Sequence, residues 1–345
     1  PKTVNGNFIL NGANGTDDQK EWLPFTQNPQ AINPPWHYVY SSNNQPSPVN
    51  GYLYPGYYLP KDRAVRIDGL LKVKNNWTKE DVSKMIVDNT SATAQTIVGN
   101  MTRPLQIQDF TANEKQALSV LQSWKATHEL EDIAPTIYNK WFYHYLKATL
   151  EDEFGEENFK LLLSTHIVKQ MIENQTANAT SPWWDNVATK DKKETQSEIL
   201  TQSFKQAVAS LETQLGNDVS QWQWSKVHQV TFQHPIGKVK LFSGFFNVGP
   251  FPISGTNEVI NNQLFIYTDD AILPIKGGPS TRRIVDFSDV ENSWSVLPTG
   301  QSGNPMSKHY SDQSELFVNG KFRKMKLNKK EIESSSTKVV FRPKS

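Results

Sequence analysis

The stretch NPPWHYVYSSNNQP occupies residues 33–46, and the charged tripeptide KDR follows at residues 61–63. Taken alone, two asparagines before a proline predict a turn, because an asparagine side chain bonds its own backbone there. An arginine in a Lys-Asp-Arg run is, by itself, typical of a solvated charge. The aromatic residues around Asn43, such as Trp36, either line a concave apolar pocket or belong to the scaffold, and the sequence leaves both alternatives open.

The composition limits what the chain can do. Its 345 residues are enough for a substantial core, in one large domain or two. A net charge of +1 gives no electrostatic reason to expect nucleic acid or a membrane as partner. With 0 cysteines, disulfides, thiolate zinc sites and a cysteine nucleophile are excluded from these residues. No apolar run approaches the roughly 20 residues that cross a bilayer. If the protein is exported, its signal segment is expected upstream of Pro1.

Helical periodicity dominates the middle of the chain. TKED at residues 78–81 predicts the start of a short amphipathic helix, and TANE at residues 111–114 matches a capping box. Residues 111–174 then carry three apolar stripes at helical spacing, and residues 194–215 predict a further helix. The stripes are Leu118, Leu121 and Trp124; Ile133, Ile137, Trp141, Tyr145 and Leu146; and Phe159, Leu162, Leu163, Ile167 and Met171. Stripes of this kind predict helix faces in the core.

After Trp222 the pattern changes to an alternation with a period of two, which predicts strands separated by Gly, Pro and Asn turns. These segments are residues 227–232, 239–246, 263–268, 283–287 and 294–297, with a final strand at 339–342. The start of the chain, to about residue 60, is rich in Gly, Pro and Asn and predicts turns and short strands. The chain is therefore predicted to be α+β, with a turn-rich β/α part (1–110), a helical arm (111–221) and a β-rich part (222–345).

Short matches in a fixed order run through nearly the whole chain. They begin with EWLPF at 21–25 and continue with NP at 33–34, NN at 43–44, DR at 62–63 and RI at 66–67. The last third adds Trp224, His228, HP at 234–235, FNVGPFPISG at 246–255, GQSG at 300–303, KHY at 308–310 and DQ at 312–313. In this order and spacing, the chain resembles the penicillin acylase (penicillin amidase) family of N-terminal nucleophile hydrolases. The likeness is to the C-terminal part of the large (beta) chain.

The resemblance implies part of an αββα sandwich with a helical insertion, not the complete fold. In the family, a precursor is cut to expose a Ser at the start of the large chain. The hydroxyl of that Ser attacks an amide, and its own amino group acts as the base. Pro1 has neither a hydroxyl nor a thiol. The nucleophile is therefore expected upstream, and this chain alone is expected to be inactive.

The implied partners are the upstream part of the same precursor (the small chain and the N-terminal part of the large chain) and a small-molecule amide. The substrate would be an N-acylated small molecule, either a β-lactam with a side-chain amide or an N-acyl-homoserine lactone. It would be hydrolysed through an acyl-enzyme without a cofactor. The family also implies a periplasmic or secreted bacterial protein. The alternative is a non-catalytic, acylase-like scaffold or binding domain, which the residue at the processed N-terminus would distinguish.

Two residues of the opening stretches gain catalytic roles from the resemblance. Asn43 matches the family asparagine whose side-chain amide donates to the oxyanion of the tetrahedral intermediate, and the second donor is a backbone amide outside this chain. Arg63 matches the family arginine beside the nucleophile and that asparagine. A planar, permanently charged guanidinium orients polar groups without taking up a proton. Near the nucleophile's amine it would also favour the neutral, basic form.

Other polar residues are predicted to be structural. Gln301, Ser302 and His309 lie in a Gly-rich loop, and a short Ser–His spacing is not diagnostic because triads are recognised by geometry. His228 and His234 have no HxH or HExxH spacing, and no carboxylate cluster completes a zinc site. Hydrogen-bonded structural histidines are therefore expected, and no metal ligand is predicted.

A structural calcium ion is held by acidic residues in several members of the family. The matching segment here, residues 48–54, offers Asn50 but no Asp or Glu. The residues of this chain therefore do not support a calcium site, and any calcium in the whole protein would need ligands from elsewhere.

Overall fold

Most of the helices lie between residues 62 and 227, and the strands follow them. The computed structural model describes residues 9–18, 22, 24–48, 54 and 56–343. The helices are α1 (Asp62–Leu71), α2 (Lys79–Ile86), α3 (Ala94–Thr102), α4 (Ala112–Ser123), α5 (Ala134–Leu163), α6 (Ile167–Ala177), α7 (Gln196–Leu215), α8 (Trp224–Val227), α9 (Ser243–Phe246), α10 (Ser314–Val318) and α11 (Lys329–Ser335). The strands are β1 (His228–Phe232), β2 (Val248–Pro252), β3 (Leu273–Pro274), β4 (Arg282–Ile284), β5 (Trp294–Val296) and β6 (Arg323–Lys324).

Threonine side chains fix where three of these helices begin. Thr78 Oγ1 accepts a hydrogen bond from the Asp81 N–H (3.2 Å), and the Asp81 carboxylate accepts one from the Thr78 N–H (3.1 Å). Thr111 and Glu114 form the same capping box before α4, and Thr195 begins α7 in the same way. A capping box satisfies backbone donors that a helix otherwise leaves unpaired. The predicted starts of α2 and α4 are confirmed.

The helical arm packs around buried aromatic side chains. Trp141 on α5 contacts Phe204 on α7 edge to face, with ring centroids 4.8 Å apart, and its indole N–H donates to Ser203 (3.1 Å). Helix α5 is interrupted at Gly155, whose φ of 73° is a conformation that glycine adopts without steric cost. The core also includes Met101, Leu118, Leu121, Ile137, Tyr145, Leu146, Phe159, Leu200 and Trp222. Most residues of the predicted stripes are buried, although Ile167 is exposed.

Two three-stranded sheets form in the last third of the chain. In the first, β1 lies between β2 and β3, antiparallel to β2 and parallel to β3. In the second, β5 lies between β4 and β6 and is antiparallel to both. Strands β1 and β5 lie within the segments predicted at 227–232 and 294–297, so these two predictions are confirmed. Of the strand predicted at 283–287, only residues 283–284 belong to β4, so that prediction is confirmed in part. The division of the chain at residues 110 and 221 stays a prediction.

The strand predicted at residues 239–246 is wrong. This segment forms a 3-10 turn (Lys240–Phe242) followed by α9. The Asn247 side chain accepts from the His234 N–H and donates to the Gly237 carbonyl, both at 3.0 Å, and so closes the segment on itself. Alternating residues form a strand only where a neighbouring backbone supplies hydrogen-bond partners, and the closed loop offers none here.

Two further strand predictions fail for the same reason. Residues 263–268 are joined to a neighbouring segment by a bridge between Leu264 and Gly277 and form no regular strand. Residues 339–342 are exposed and have no regular secondary structure. An alternating pattern by itself does not supply a partner, so it overpredicts strands in chains with many loops.

Several large apolar side chains lie exposed outside the core. Those before α1 include Trp22, Phe25, Ile32, Trp36 and Val39, and those after β1 include Val239, Leu241, Phe242, Phe245, Phe287 and Met306. Large exposed apolar patches mark contact with another part of a protein. None of the helices in the described ranges is long and apolar enough to span a bilayer.

Candidate functional site

Asn43 lies in a tight turn before α1. Its φ is 64°, in the left-handed region that asparagine tolerates better than most residues. The Asn43 carbonyl accepts a hydrogen bond from the Leu59 N–H (2.9 Å), and Asn44 pairs with Leu59 in a parallel bridge. The Asn44 side chain also accepts from the Ser42 hydroxyl (3.1 Å). These contacts hold the Asn43 turn (residues 42–44) and leave the Asn43 side chain exposed.

Arg63, the second residue of α1, holds this turn from one side. Its Nη2 donates to the Ser42 carbonyl (2.6 Å) and to Asn43 Oδ1 (3.1 Å). Since a guanidinium carries only donors, the Asn43 atom that faces it must be the carbonyl oxygen. The Nδ2 group of Asn43 therefore lies on the opposite side of the amide, as a donor that can reach a ligand oxygen. The two predicted catalytic residues are brought together by this bond.

The Arg63 guanidinium is half-buried. Burial lowers its pKa, and the negative charge of Glu258 raises it. A guanidinium nevertheless keeps its charge throughout the pH range in which proteins work. Within the described ranges no carboxylate lies within 4.0 Å of it. Arg63 is therefore a fixed positive charge beside the Asn43 amide.

Helix α6 and His166, the residue before it, bond the segment at residues 57–61, which leads into α1. Gln170 Nε2 donates to the Tyr58 carbonyl (2.6 Å), and the backbone N–H of His166 donates to the Tyr57 hydroxyl (2.8 Å). These partners are 112 and 109 positions apart in the sequence, so no spacing pattern could have predicted them. The helical arm thus positions the backbone against which the Asn43 turn bonds.

A charged cluster formed by Asp62, Lys169 and Glu258 lines a cavity beside the first turn of α1. Lys169 Nζ and Glu258 Oε1 are 2.8 Å apart. Asp62 is buried and accepts hydrogen bonds from Ser91 (3.3 Å) and from Thr93. Burial raises the pKa of Asp62 to about 6, and Glu258 adds to the rise, while both hydroxyls oppose it. Sequence reasoning missed this cluster, because its members come from three distant segments.

Comparison with known proteins assigns the chain to a protein family. A family model described as penicillin amidase matches residues 1–334. The chain belongs to the penicillin amidase family. The family predicted from the ordered matches is confirmed.

Curated relatives of this chain are named acylases. The acyl-homoserine lactone acylase QuiP of Pseudomonas aeruginosa is 26% identical over 336 residues, which cover 89% of this chain and 37% of the relative. The penicillin acylase 2 proenzyme of Pseudomonas sp. (strain SE83) is 22% identical over 327 residues, which cover 90% of this chain and 39% of the relative. The chain therefore spans about two fifths of the length of these relatives.

The fold is similar to that of a thermostable penicillin G acylase from Alcaligenes faecalis. The TM-score is 0.51 at 16% sequence identity, and the match covers 91% of this chain and 59% of that chain. The predicted α+β class, as part of an N-terminal nucleophile hydrolase fold, is therefore confirmed.

The aromatic residues around Asn43 have different surroundings in this penicillin amidase chain. The Tyr38 hydroxyl donates to Asp68 on α1 (2.9 Å), which makes Tyr38 part of the scaffold. Trp36 and Tyr40 are 53% and 39% exposed. For these two residues, both alternatives (pocket wall and scaffold) stay open.

The Gly-rich loop at residues 300–313 is closed by hydrogen bonds within it, and the Tyr310 hydroxyl donates from it to the Phe246 carbonyl (2.5 Å). The Ser302 N–H donates to the His309 carbonyl (3.1 Å), while the Ser302 hydroxyl accepts from a backbone N–H two residues ahead (3.1 Å). The His309 ring faces Asp312 (2.8 Å) and not Ser302. Gly300 is required because an added Cβ would overlap the His309 carbonyl oxygen. This geometry agrees with the structural role predicted for Ser302 and His309.

The other two histidines predicted to be structural differ in burial, because His228 lies in the interior and His234 is partly exposed. His228 is fully buried, and its Nδ1 bonds with the Ile253 carbonyl (2.7 Å), while the His234 ring stacks on a phenylalanine at 5.0 Å. Across the described residues, no group of three or more His, Cys, Asp or Glu side chains is arranged to hold a metal ion. Most of the family's calcium segment, including Asn50 at 49–53, lies outside the described residues. So do Pro1, Glu21, Leu23 and Tyr52.

Proposed function

We propose that this chain supplies the oxyanion-binding half of an amide hydrolase that cleaves the linear amide of an N-acylated small molecule. The observation that carries the proposal is the pair of hydrogen bonds from Arg63 to the Asn43 turn, which fixes the Asn43 N–H group as an exposed donor. A donor fixed in advance is effective where negative charge develops on an oxygen. Membership of the penicillin amidase family supports the same role.

The nucleophile is a Ser at the processed N-terminus of the large chain, upstream of these residues. Its hydroxyl oxygen attacks the amide carbonyl carbon, and its own amino group takes up the proton. The carbonyl oxygen becomes an oxyanion that receives hydrogen bonds from Asn43 Nδ2 and from a backbone N–H of the upstream part. The intermediate collapses as the amine leaves with the proton from the ammonium group. Water hydrolyses the acyl-enzyme by the same route, and no step requires a cofactor.

Arg63 supports this reaction in two ways. It holds Asn43 Oδ1 (3.1 Å), so the amide does not rotate when charge develops on the substrate. Its positive charge also disfavours protonation of the nearby nucleophile amine through like-charge repulsion, and so keeps that amine basic. Asn43 and Arg63 are therefore the catalytic residues that this chain contributes.

Two substrate classes fit this reaction: N-acyl-homoserine lactones and β-lactams with an acylated side-chain amine. The names of the relatives support both. The homoserine lactone acylase is the more similar of the two relatives compared above, at 26% against 22% identity. An N-acyl-homoserine lactone is therefore the first substrate to test.

The upstream part of the same precursor is the required partner, and the chain alone is inactive. The exposed apolar side chains of residues 24–48 support this, because they offer a surface for that part to cover. By analogy with the family, the protein acts in the bacterial periplasm or outside the cell, without a nucleic acid or membrane partner.

The test uses the protein assembled from this chain and its upstream part, with release of the amine from an N-acyl-homoserine lactone and from a β-lactam as the readout. Asn43→Ala is expected to lower kcat by about 100-fold or more while KM changes little, because the donor acts mainly on the transition state. Ser302→Ala, in the closing loop, is the control and is expected to leave acylation intact.

The outcomes separate the alternatives. An unchanged kcat in Asn43→Ala would refute the oxyanion role, and loss of acyl-enzyme formation in Ser302→Ala would overturn the structural role of the closing loop. A residue other than Ser, Thr or Cys at the processed N-terminus would favour the non-catalytic scaffold.

A further inference from the structure

A groove runs along the outer end of β1, on the side of the sheet where β3 lies. Its volume is ≈ 520 Å³, and its two walls are residues 229–233 and residues 274–280. Pro298 and Phe317 also line it. Of the described residues that line the groove, none belongs to the Asn43 turn or to α1. The chemistry of the groove itself must therefore identify what fills it.

The groove exists because β3 leaves β1 after a short pairing. The two strands are in register for two residues, and the Ile275 N–H still donates to the Gln229 carbonyl (3.0 Å). The chain then turns away, and the Lys276 N–H donates to the Leu264 carbonyl instead (2.7 Å). Strand β1 continues to Phe232 without a neighbour on this side, so the two walls diverge.

Thr231 places an open strand edge in this groove. Neither neighbouring strand has a residue in register with it, because β3 stops opposite Gln229 and the register with β2 passes from Val230 to Phe232. Backbone groups two residues apart on a strand point to the same side. The Thr231 N–H and carbonyl therefore point to the β3 side, like the Gln229 carbonyl that bonds there. A strand edge of this kind is a template for pairing with another backbone.

The floor of the groove is the open side of a small apolar cluster around Phe317. We call it the second cluster, and its buried members are Val230, Ile253, Val296 and Phe317. Phe232 and Ile275 pack against it while only partly buried, and both line the groove. The Arg282 guanidinium holds Phe317 in place, since it lies 4.0 Å from the ring centroid and donates to the Phe317 carbonyl (2.6 Å). An apolar cover over this floor would remove more of the cluster from water.

The chemistry of the groove fits an extended polypeptide. Thr231 presents one backbone donor and one backbone acceptor on the same edge, and an added strand pairs with both. A small apolar ligand would leave both groups unpaired and away from water, which is unfavourable. Side chains at alternate positions of an added strand point to one face, so apolar residues there would cover Phe232 and Phe317.

The upstream part of the precursor is the source of such a strand that the comparisons support. This chain covers 37% and 39% of the two relatives described above, so about three fifths of their length lies outside it. The strands of the described residues are short, from two residues in β3 and β6 to five in β1 and β2. Strands of globular proteins usually have about 3–10 residues. The sheets of this chain are therefore of the kind that further strands complete.

We propose that an extended segment of the upstream part enters this groove as a strand, pairs with β1 at Thr231 and covers the second cluster. This inference rests on the proposed function for the identity of the partner, and it does not depend on the reaction. The groove adds a second docking surface to the one at residues 24–48. The upstream part would then hold both ends of this chain.

Hydrogen exchange in the assembled protein tests whether the groove is filled. The Thr231 N–H should exchange at least about 100-fold more slowly than an unpaired amide of the same local sequence, because a paired strand must open before exchange. Val230 is the internal control, since its register partner lies on β2 and its N–H should be protected in either case. Exchange of Thr231 at the unpaired rate, with Val230 protected, overturns the proposal.

Thr231→Pro and Thr231→Val form a matched pair of variants. Proline removes the N–H that faces the groove, whereas valine keeps it. Urea-induced dissociation of the assembled protein should show about 10-fold weaker assembly in Thr231→Pro, the effect of one backbone hydrogen bond. Thr231→Val should stay within about two-fold. Proline is tolerated at an open strand edge, so equal assembly of the two variants overturns the proposal. If Thr231→Pro does not fold, hydrogen exchange of the unaltered protein decides.

A photo-crosslinking amino acid in place of Ser280, which is exposed on the groove wall, identifies the occupant. The same substitution at Ser123, exposed at the end of α4, gives the background. A crosslink from position 280 to the upstream part is expected, and a crosslink to a second copy of this chain, or none above background, overturns the proposal.

Turnover of Asn43→Ala separates this inference from the proposed function. If Thr231 exchanges freely and Asn43→Ala loses turnover, only this inference fails. If Thr231 is protected and Asn43→Ala keeps turnover, only the proposed function fails.

Discussion

The helical arm and the turn-rich segment before α1 are held in place in opposite ways. The arm buries its own aromatic residues, and Trp141 is 0% exposed. The segment at residues 24–48 leaves Trp36 53% and Ile32 83% exposed, and its Asn43 turn is fixed by single hydrogen bonds to residues outside it. The arm therefore keeps its shape by burying its own side chains. The site receives its shape from its neighbours.

Acid should destabilise the interior around His128 in the helical arm and His228 on β1, and this is the largest expected effect. Burial lowers the pKa of His128 to about 3 and that of His228 to about 4. In the unfolded chain both titrate near 6.5. As the pH falls below 6.5, the unfolded chain binds protons that the folded core rejects. Stability present at pH 7 is therefore lost progressively down to the folded pKa values, by roughly 3–5 kcal/mol for each histidine.

Urea unfolding at a series of pH values measures this effect. At pH 5, His228→Asn should lower the slope of unfolding free energy against pH by about 1.4 kcal/mol per unit. Asp62→Asn should raise the slope, because the Asp62 pKa of about 6 in the folded state lies above its ordinary value of 3.8. An unchanged slope in His228→Asn would show that this histidine does not enter the core as a neutral group.

Trp141 and Trp36 test the comparison directly. Trp141→Ala removes a fully buried indole and is expected to cost about 3–5 kcal/mol of unfolding free energy. Trp36→Ala should stay within about 0.5 kcal/mol in this chain, because the side chain is exposed. Denaturant unfolding of both variants measures the difference. Similar losses at the two positions would mean that the turn-rich segment has a core of its own.

The helices could be predicted from the sequence because their signals are local. The capping boxes at 78–81 and 111–114 and the apolar stripes after them lie within a few turns of one another. Strands need partners from elsewhere, which an alternating pattern does not identify. Residues 239–246 alternate as well as β1 does, yet the Asn247 side chain closes them into a loop.

Only the site residues that match the family, Asn43 and Arg63, could be predicted from the sequence. Asn43 and Arg63 are 20 positions apart, and no helix or strand period connects them. No sequence pattern marks Lys169 or Glu258 as part of a site. A lysine beside the buried stripe of a helix is common, and a single glutamate in a loop is more common still. What brings these side chains together is the contact of α6 with the segment before α1, through Gln170–Tyr58 and Glu173–Lys61. A single sequence does not encode such a tertiary contact in any local pattern.

The smallest expected effect concerns the contact between α6 and the segment that bonds the Asn43 turn. The variant Gln170→Ala tests whether this contact holds the turn in its conformation. Gln170→Ala removes the donor to the Tyr58 carbonyl (2.6 Å), and water can replace it, so global unfolding should change by no more than about 0.5 kcal/mol. Locally, the Leu59 N–H that bonds Asn43 should exchange with solvent up to about 10-fold faster, since one hydrogen bond is worth about 1 kcal/mol.

Glu173→Gln, on the same helix, is the matched control for that measurement. Glu173 pairs with Lys61 at 3.0 Å in an exposed ion pair, whose contribution should be small and should disappear at high salt. The effect of Gln170→Ala should persist there, because it does not depend on charge. If Leu59 exchange is unchanged in Gln170→Ala, the turn keeps its shape without the arm. The turn-rich segment would then keep its own shape, as the helical arm does. The Gln170 hydrogen bond from the arm would have no part in positioning Asn43.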